Sequence, residues 1–191
     1  MGLDIFIYTD IGDKIFDGDY HDPGHDYLHK HSLSRTFCNF MSRQSAMSGE
    51  PELDQIGRIT SIDISPIYQM EEYPSEETLE FFMGTKESEE ERQELIDDTQ
   101  RKRESLKGNI DRVLATISAL IEKLSVIDNL PQLLDDSGWD TLNYEVYFTD
   151  FNVDKGEGYI GNNFGQDLRN FKRFVEFARE RGANTVYFNY G

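Results

Sequence analysis

Cysteine and positive charge are scarce in this chain, and long apolar runs are absent. A single cysteine, Cys38, stands among 191 residues, so no internal disulfide can staple the fold and the pattern is not that of a disulfide-rich secreted scaffold. No apolar run approaches the ~18 residues that a membrane-spanning helix needs. Lys and Arg number 19 against 37 Asp and Glu, a net charge of −18. A surface this acidic repels phosphate backbones and anionic bilayers, which argues against direct nucleic-acid or membrane binding. Aromatic residues, by contrast, make up 13% of the chain, and with Ile and Leu they supply a core that a disordered chain lacks. The length suits one domain. Met1 to Tyr8 is apolar for only a few residues and carries no basic segment. It reads as a first strand rather than a signal peptide, and a cytoplasmic location is expected.

The pattern along the chain predicts an α+β fold with a small mixed or antiparallel sheet, helices on one face and one long helix projecting from it. Residues 3–9 alternate as a strand does. Residues 10–31 form an Asp-rich polar loop that holds all four histidines. Ser32 or Ser34 is placed to cap a helix reaching about Arg43, with Leu33, Phe37, Phe40 and Met41 at helical spacing and Cys38 in the apolar face. Residues 58–69 alternate loosely and read as a strand or an extended segment, which Pro66 would place at an edge, and residues 144–151 alternate strongly as a strand does. Residues 166–181 read as a helix closed by Gly182, and 184–190 as a last strand.

The strongest signal lies in the middle. Ile96, Thr99, Arg103, Leu106, Ile110, Val113, Ile117, Leu120, Leu124 and Ile127 step by three and four. That phase predicts one helix over about 88–128, within a helical arm at about 86–130 of a single domain. Gly108–Asn109 is its weak point, and the alternative is a helical hairpin folded there. An exposed seam of this kind needs a partner: either the chain's own helix 166–181 or a second copy in a homodimer.

Three features are candidates for function. The first is acidic. Residues 71–98 contain twelve Asp and Glu against Lys86 and Arg92. Carboxylates dense on a helix can imitate the phosphates of a duplex and compete for a basic groove on another protein, through the same counterion release that DNA uses. Glu72, Glu76, Glu80, Glu87, Glu90, Glu91, Glu94, Asp97 and Asp98 are the contacts this reading names. The alternative is a solvated face that keeps the chain soluble.

The second is the segment from Asp17 to His31. His21, His25 and His29, with Asp22 and Asp26, offer imidazoles and carboxylates to a divalent transition metal such as zinc or nickel. His25 and His29 would share a helix face. A metal-dependent, hydrolase-like enzyme is the function this loop would support. The spacing matches no standard zinc framework, and a solvated loop is the competing reading.

The third is Gly156-Glu157-Gly158-Tyr159-Ile160-Gly161, which fits a dinucleotide-binding glycine pattern. Asn162 to Gly165 separate it from the helix, and no acidic residue follows at the tip of the next strand. A hairpin or plain loop fits better.

Finally, Met1-Gly2-Leu3-Asp4-Ile5 with Tyr8 resembles the start of many small uncharacterised phage and bacterial proteins. The likeness covers about eight residues and brings no catalytic motif. It implies a mobile-element origin. Together these features lead to the expectation of a non-enzymatic acidic binding protein, in its most concrete form a phage-encoded inhibitor that imitates DNA charge.

Overall fold

The computed structural model describes residues 5–16, 33–42, 50–72, 76–135, 144–157, 159 and 161–190. The fold is α+β, and its two strands come from opposite ends of the chain. β1 (Ile5–Thr9) pairs antiparallel with β2 (Val186–Tyr190), with Ile7 opposite Phe188 and Thr9 opposite Val186. Alternation sets the faces, as period-two geometry requires. Ile5, Val186 and Phe188 turn into the core while Phe6 and Tyr8 stay exposed. A 3₁₀ turn, Gly12–Phe16, follows β1.

Two amphipathic helices dominate the core. α6 (Ile110–Leu124) buries Ile110, Val113, Leu114, Ile117, Leu120 and Leu124. α9 (Phe164–Glu180) buries Phe164, Leu168, Phe171, Phe174, Val175 and Ala178. Both sets recur at three and four residues, so each helix presents one apolar stripe, and the two stripes pack against each other. Asn163 caps α9 by accepting the Gln166 amide at 3.0 Å, and Gly182, at φ 89°, follows its C-terminal end. α1 (Arg35–Ser42) lays Phe37, Cys38, Phe40 and Met41 against this pair. Phe37, Phe40, Tyr147, Phe148, Phe164 and Phe171 form a linked set of edge-on and tilted ring contacts.

Two expected strands are helical. Residues 58–69 run from the end of α2 (Glu52–Thr60) through a turn at 61–64 into α3 (Ser65–Tyr68) and a 3₁₀ turn, Gln69–Glu72. The β-branched run begins inside an apolar helical face that starts earlier. Leu53, Ile56 and Thr60 point inward, and Thr60 returns its hydroxyl to the Ile56 carbonyl at 2.7 Å, which satisfies its buried hydroxyl within the helix. Pro66 occupies the first turn of α3, where its missing N–H is harmless, rather than a sheet edge. After α7 (Leu130–Leu133), residues Tyr144–Phe148 form α8. Tyr147 and Phe148 are both buried while Val146 is 62% exposed. Adjacent inward residues cannot share one face of a strand, but they can share a helix stripe.

The long helix is also two. α4 (Glu76–Thr85) precedes α5 (Glu89–Leu106), and α6 begins only at Ile110. Gly108 adopts φ 75°, a left-handed conformation that ends a helix and that glycine accepts freely. The break is held from outside. Gly108 donates to the Thr185 hydroxyl at 3.1 Å, Ile110 donates to the Asn184 carbonyl at 3.2 Å, and the Asn109 side chain bonds Val186 twice. The two halves then separate in company: α6 packs on α9 and α3, while the main neighbours of α5 are α4 and the 3₁₀ turn before it. The structure is therefore neither one rod over 88–128 nor a hairpin folded on itself. From Leu106 to Leu124 the apolar seam is buried inside the chain, chiefly against α9 as one of the two readings held, and is not open to a second copy.

The start of α5 is locally specified. Ser88 accepts the Glu91 amide through its hydroxyl at 3.1 Å, and Glu91 reaches back to the Ser88 and Glu87 amides. This is a reciprocal capping box. Ser88→Ala is expected to cost about 1 kcal/mol locally. Amide exchange is the measurement: first-turn amides of α5 lose protection while those of α6 keep theirs.

Candidate binding surface

Residues 76–98, from α4 into α5, hold ten acidic side chains against Lys86 and Arg92, a net of −8. α5 is almost entirely solvated, since only Thr99 and Leu106 among its residues are buried. α4 contributes no side chain to the core among those described. The segment is therefore an arm whose composition is free of packing demands.

Its charge is polarised along the axis. Residues 89–98 carry six acids and Arg92, a net of −5. Over ten residues at ~1.5 Å each this is one net charge per ~3 Å, close to the ~3.4 Å spacing along one DNA strand. Residues 99–106 then carry Arg101, Lys102 and Arg103 against Glu104. Acids at the N-terminal end and bases at the C-terminal end also complement the helix dipole, which accounts for part of the pattern without any partner.

The nine acidic positions named from sequence fall into different environments. Glu90, Glu94 and Asp97 share one exposed face of α5 with Gln93, Gln100 and Arg101, as residues four and three apart on a helix must. Glu76, Glu80 and Glu87 are exposed before it. Glu91 is engaged in the capping box. Asp98 pairs with Arg101 at 3.4 Å and Lys102 at 3.2 Å. Glu72 ends the 3₁₀ turn, and its side chain lies outside the described residues. Exposed pairs of this kind contribute little stability. Asp97 accepts the Gln93 side-chain amide at 2.8 Å, and Glu90 and Glu94 stay exposed beside it. The metal candidates His21, Asp22, His25, Asp26 and His29 all lie outside the described residues. Among the described residues, no group of three or more His, Cys, Asp or Glu side chains is arranged to hold a metal ion, and no helix is long and apolar enough to cross a membrane.

The described residues among 153–163 (all but Gly158 and Ile160) form no strand, and the expected feeding strand is replaced by α8. Asp154 accepts the Gly156 amide at 2.8 Å. Gln166 clamps the loop, accepting the Lys155 amide at 2.9 Å and donating to the Gly156 carbonyl at 3.2 Å. Gly165 is required by close approach: a Cβ there would stand 2.2 Å from the Phe151 carbonyl oxygen. These glycines serve packing and turn geometry. The cavity beside the loop, about 200 Å³, is smaller than the ~300 Å³ at which small-molecule sites begin.

Two features escaped the reading from sequence. One is a buried carboxylate. Asp167 lies in the first turn of α9, wholly inaccessible. It accepts the Ser34 amide at 2.8 Å, the Ser34 hydroxyl at 2.7 Å and the Tyr147 hydroxyl at 2.9 Å. Burial pushes its carboxyl up to about 7, against the pull of these three donors. Burial, with Asp167 beside it, also raises the Tyr147 phenol well above its usual value. Ser34 and Tyr147 are as buried as Asp167 is, so this cluster ties α1, α8 and α9 together and meets no solvent. Its signal in the sequence was available, because Asp167 stands three residues after Phe164 and four before Phe171, in phase with the apolar stripe. The other is Phe81 and Phe82, exposed by 69% and 45% on the acidic arm.

Comparison of the chain with protein-family models, curated proteins and solved structures gives no match.

Proposed function

We propose that this is a cytoplasmic acidic binding protein that engages a basic groove on another protein through the α4–α5 arm. One observation carries the reading: the chain's densest negative charge sits on helices that the core does not use. Arg92 bonds Glu89 at 2.7 Å, Asp98 pairs with Arg101 and Lys102 and Asp97 accepts the Gln93 side-chain amide at 2.8 Å, but two bases cannot balance the ten acids of residues 76–98, and Glu90 and Glu94 stay exposed on α5. A helical line charge close to that of one DNA strand supports the more specific version, an inhibitor of mobile-element origin that displaces nucleic acid from its binding site. Such binding releases counterions and weakens steeply with salt.

The test uses the neutralised variant Glu90→Gln/Glu94→Gln/Asp97→Asn, which keeps side-chain volume and leaves the capping box intact. A fluorescent oligolysine peptide titrated at about 50 mM salt is expected to bind the native chain at least about tenfold more tightly than the variant, with the difference collapsing near 200 mM. Equal affinity for both proteins at low salt would refute the reading.

A further inference from the structure

We propose that Phe81 and Phe82 are the apolar anchor of this arm, and that the partner's basic groove is walled by an amphipathic helix that presents large apolar side chains between Lys and Arg residues. The inference rests on the acidic-arm reading and goes past it, because it names what charge alone would not recognise.

The two rings touch edge-on, with centroids 5.4 Å apart and planes 75° from each other. They are preorganised as a pair, yet 69% and 45% of their surfaces remain in water. They take no part in the buried core. Ile96, 38% exposed, is the other large apolar side chain that the arm shows to solvent. Adjacent exposed aromatics on a helix that the core does not use are what an interface hot spot looks like before its partner arrives. Single exposed apolar residues need no explanation, but two Phe in contact do.

The charge around them selects the occupant. Glu76 and Glu80 are exposed on the same helix, and Glu87, Glu89 and Glu90 follow within one turn of the connector. A second copy of the chain would bring another arm of net −8 against the first. A nucleic acid or an anionic bilayer meets the same repulsion. A surface that is cationic and apolar together satisfies both features, and an amphipathic helix supplies it, with apolar side chains at i, i+3, i+4 and i+7 and Lys or Arg between them. The two contributions divide the work. The carboxylates steer encounter and respond to salt, while the rings hold the complex and do not.

Two synthetic peptides of identical Leu and Lys composition separate these contributions. In one the leucines recur at helical spacing, and in the other the order is scrambled. Each is titrated by fluorescence anisotropy into the full chain and into Phe81→Ala/Phe82→Ala, with circular dichroism and the melting temperature confirming that the variant keeps its fold. The native chain is expected to bind the amphipathic peptide at least about tenfold more tightly than the scrambled one, and the preference is expected to survive about 200 mM salt. Phe81→Ala/Phe82→Ala is expected to bind both peptides alike, at the native affinity for the scrambled one. Equal binding of the two peptides by the native chain, or an undiminished preference in the variant, overturns the anchor and leaves the acidic-arm reading standing. Failure of the native chain to bind either peptide at low salt overturns both.

Discussion

Replacing Asp167 by Asn is expected to remove most of one proton's worth of pH dependence from the stability of the fold. The native carboxyl titrates near pH 7, while in the unfolded chain it titrates near its ordinary value of 3.8. Below about pH 4 both states hold the proton. Between the two values the native state keeps a proton that the unfolded chain has released, so stability falls as pH rises, by ~1.4 kcal/mol per unit. Above about pH 7 both are ionised and the decline ends. The whole step amounts to about 4 kcal/mol. A protonated Asp167 also suits its site. Its amide-facing oxygen accepts from Ser34, and the other can donate to one hydroxyl while accepting from the second. Asn has no oxygen to offer both hydroxyls, so Asp167→Asn is expected to be less stable than the native chain by about 1–2 kcal/mol at pH 5. The gap is expected to close or reverse by pH 8. Urea unfolding of both proteins across pH 5–8 measures it. A gap that stays constant over that range would show that the carboxyl is not held protonated.

The elements that could be read from sequence are those whose burial follows a period. α6 and α9 announce themselves because a stripe at three and four residues admits one helical phase, and the end of α9 at Gly182 follows from C-cap chemistry. β1 and β2 could be read from alternation, although nothing in either strand says that the two ends of the chain pair with each other. The failures are short. Five or ten apolar, β-branched or aromatic residues fit a strand and a buried helix equally well, and tertiary packing chose helix for residues 58–60, 65–68 and 144–148. The break before α6 failed for another reason. The apolar phase runs through Gly108, so periodicity cannot see it. What ends α5 there is a left-handed glycine docked on residues 184–186, a contact some seventy-seven positions away.

The same distinction governs the candidate surface. Composition located the acids, and helical spacing puts Glu90, Glu94 and Asp97 on one face of α5. Ser88-x-x-Glu91 also spells the capping box in the sequence, and Asp98 stands three and four residues before Arg101 and Lys102, as a helical ion pair requires, although neither was singled out. Spacing did not single out Phe81 and Phe82 either. Their exposure is decided by where the neighbouring helices lie. What the structure changes in the partner-binding argument is its geometry. The rod shortens to α5, the apolar seam withdraws into the body, and the acids stay on the helices left outside.

The break itself is the site of the second large effect. Asn109 is 3% exposed and stands where a third strand would. Its Nδ2 donates to the Val186 carbonyl at 2.8 Å, and its Oδ1 accepts the Val186 amide at 2.8 Å. One side-chain amide thus satisfies both backbone groups of a fully buried residue, and for that reason it makes no cap bond to the helix that it precedes. Asn109→Ala leaves a donor and an acceptor unpaired out of reach of water, at about 1–3 kcal/mol each, so a loss of about 3 kcal/mol or more is expected in urea unfolding. Asn109→Asp separates hydrogen bonding from packing. Its carboxylate still accepts the Val186 amide but faces the Val186 carbonyl with a second oxygen, which repels it. Protonation restores a donor at that position. The Asp variant is therefore expected to lie well below the native chain at pH 8 and to recover part of the difference at pH 4, whereas the deficit of the Ala variant does not change sign or shrink in the same way. If Asn109→Ala melts within about 0.5 kcal/mol of the native chain, Val186 has found water or another partner, and the separation of α5 from α6 rests on Gly108 alone.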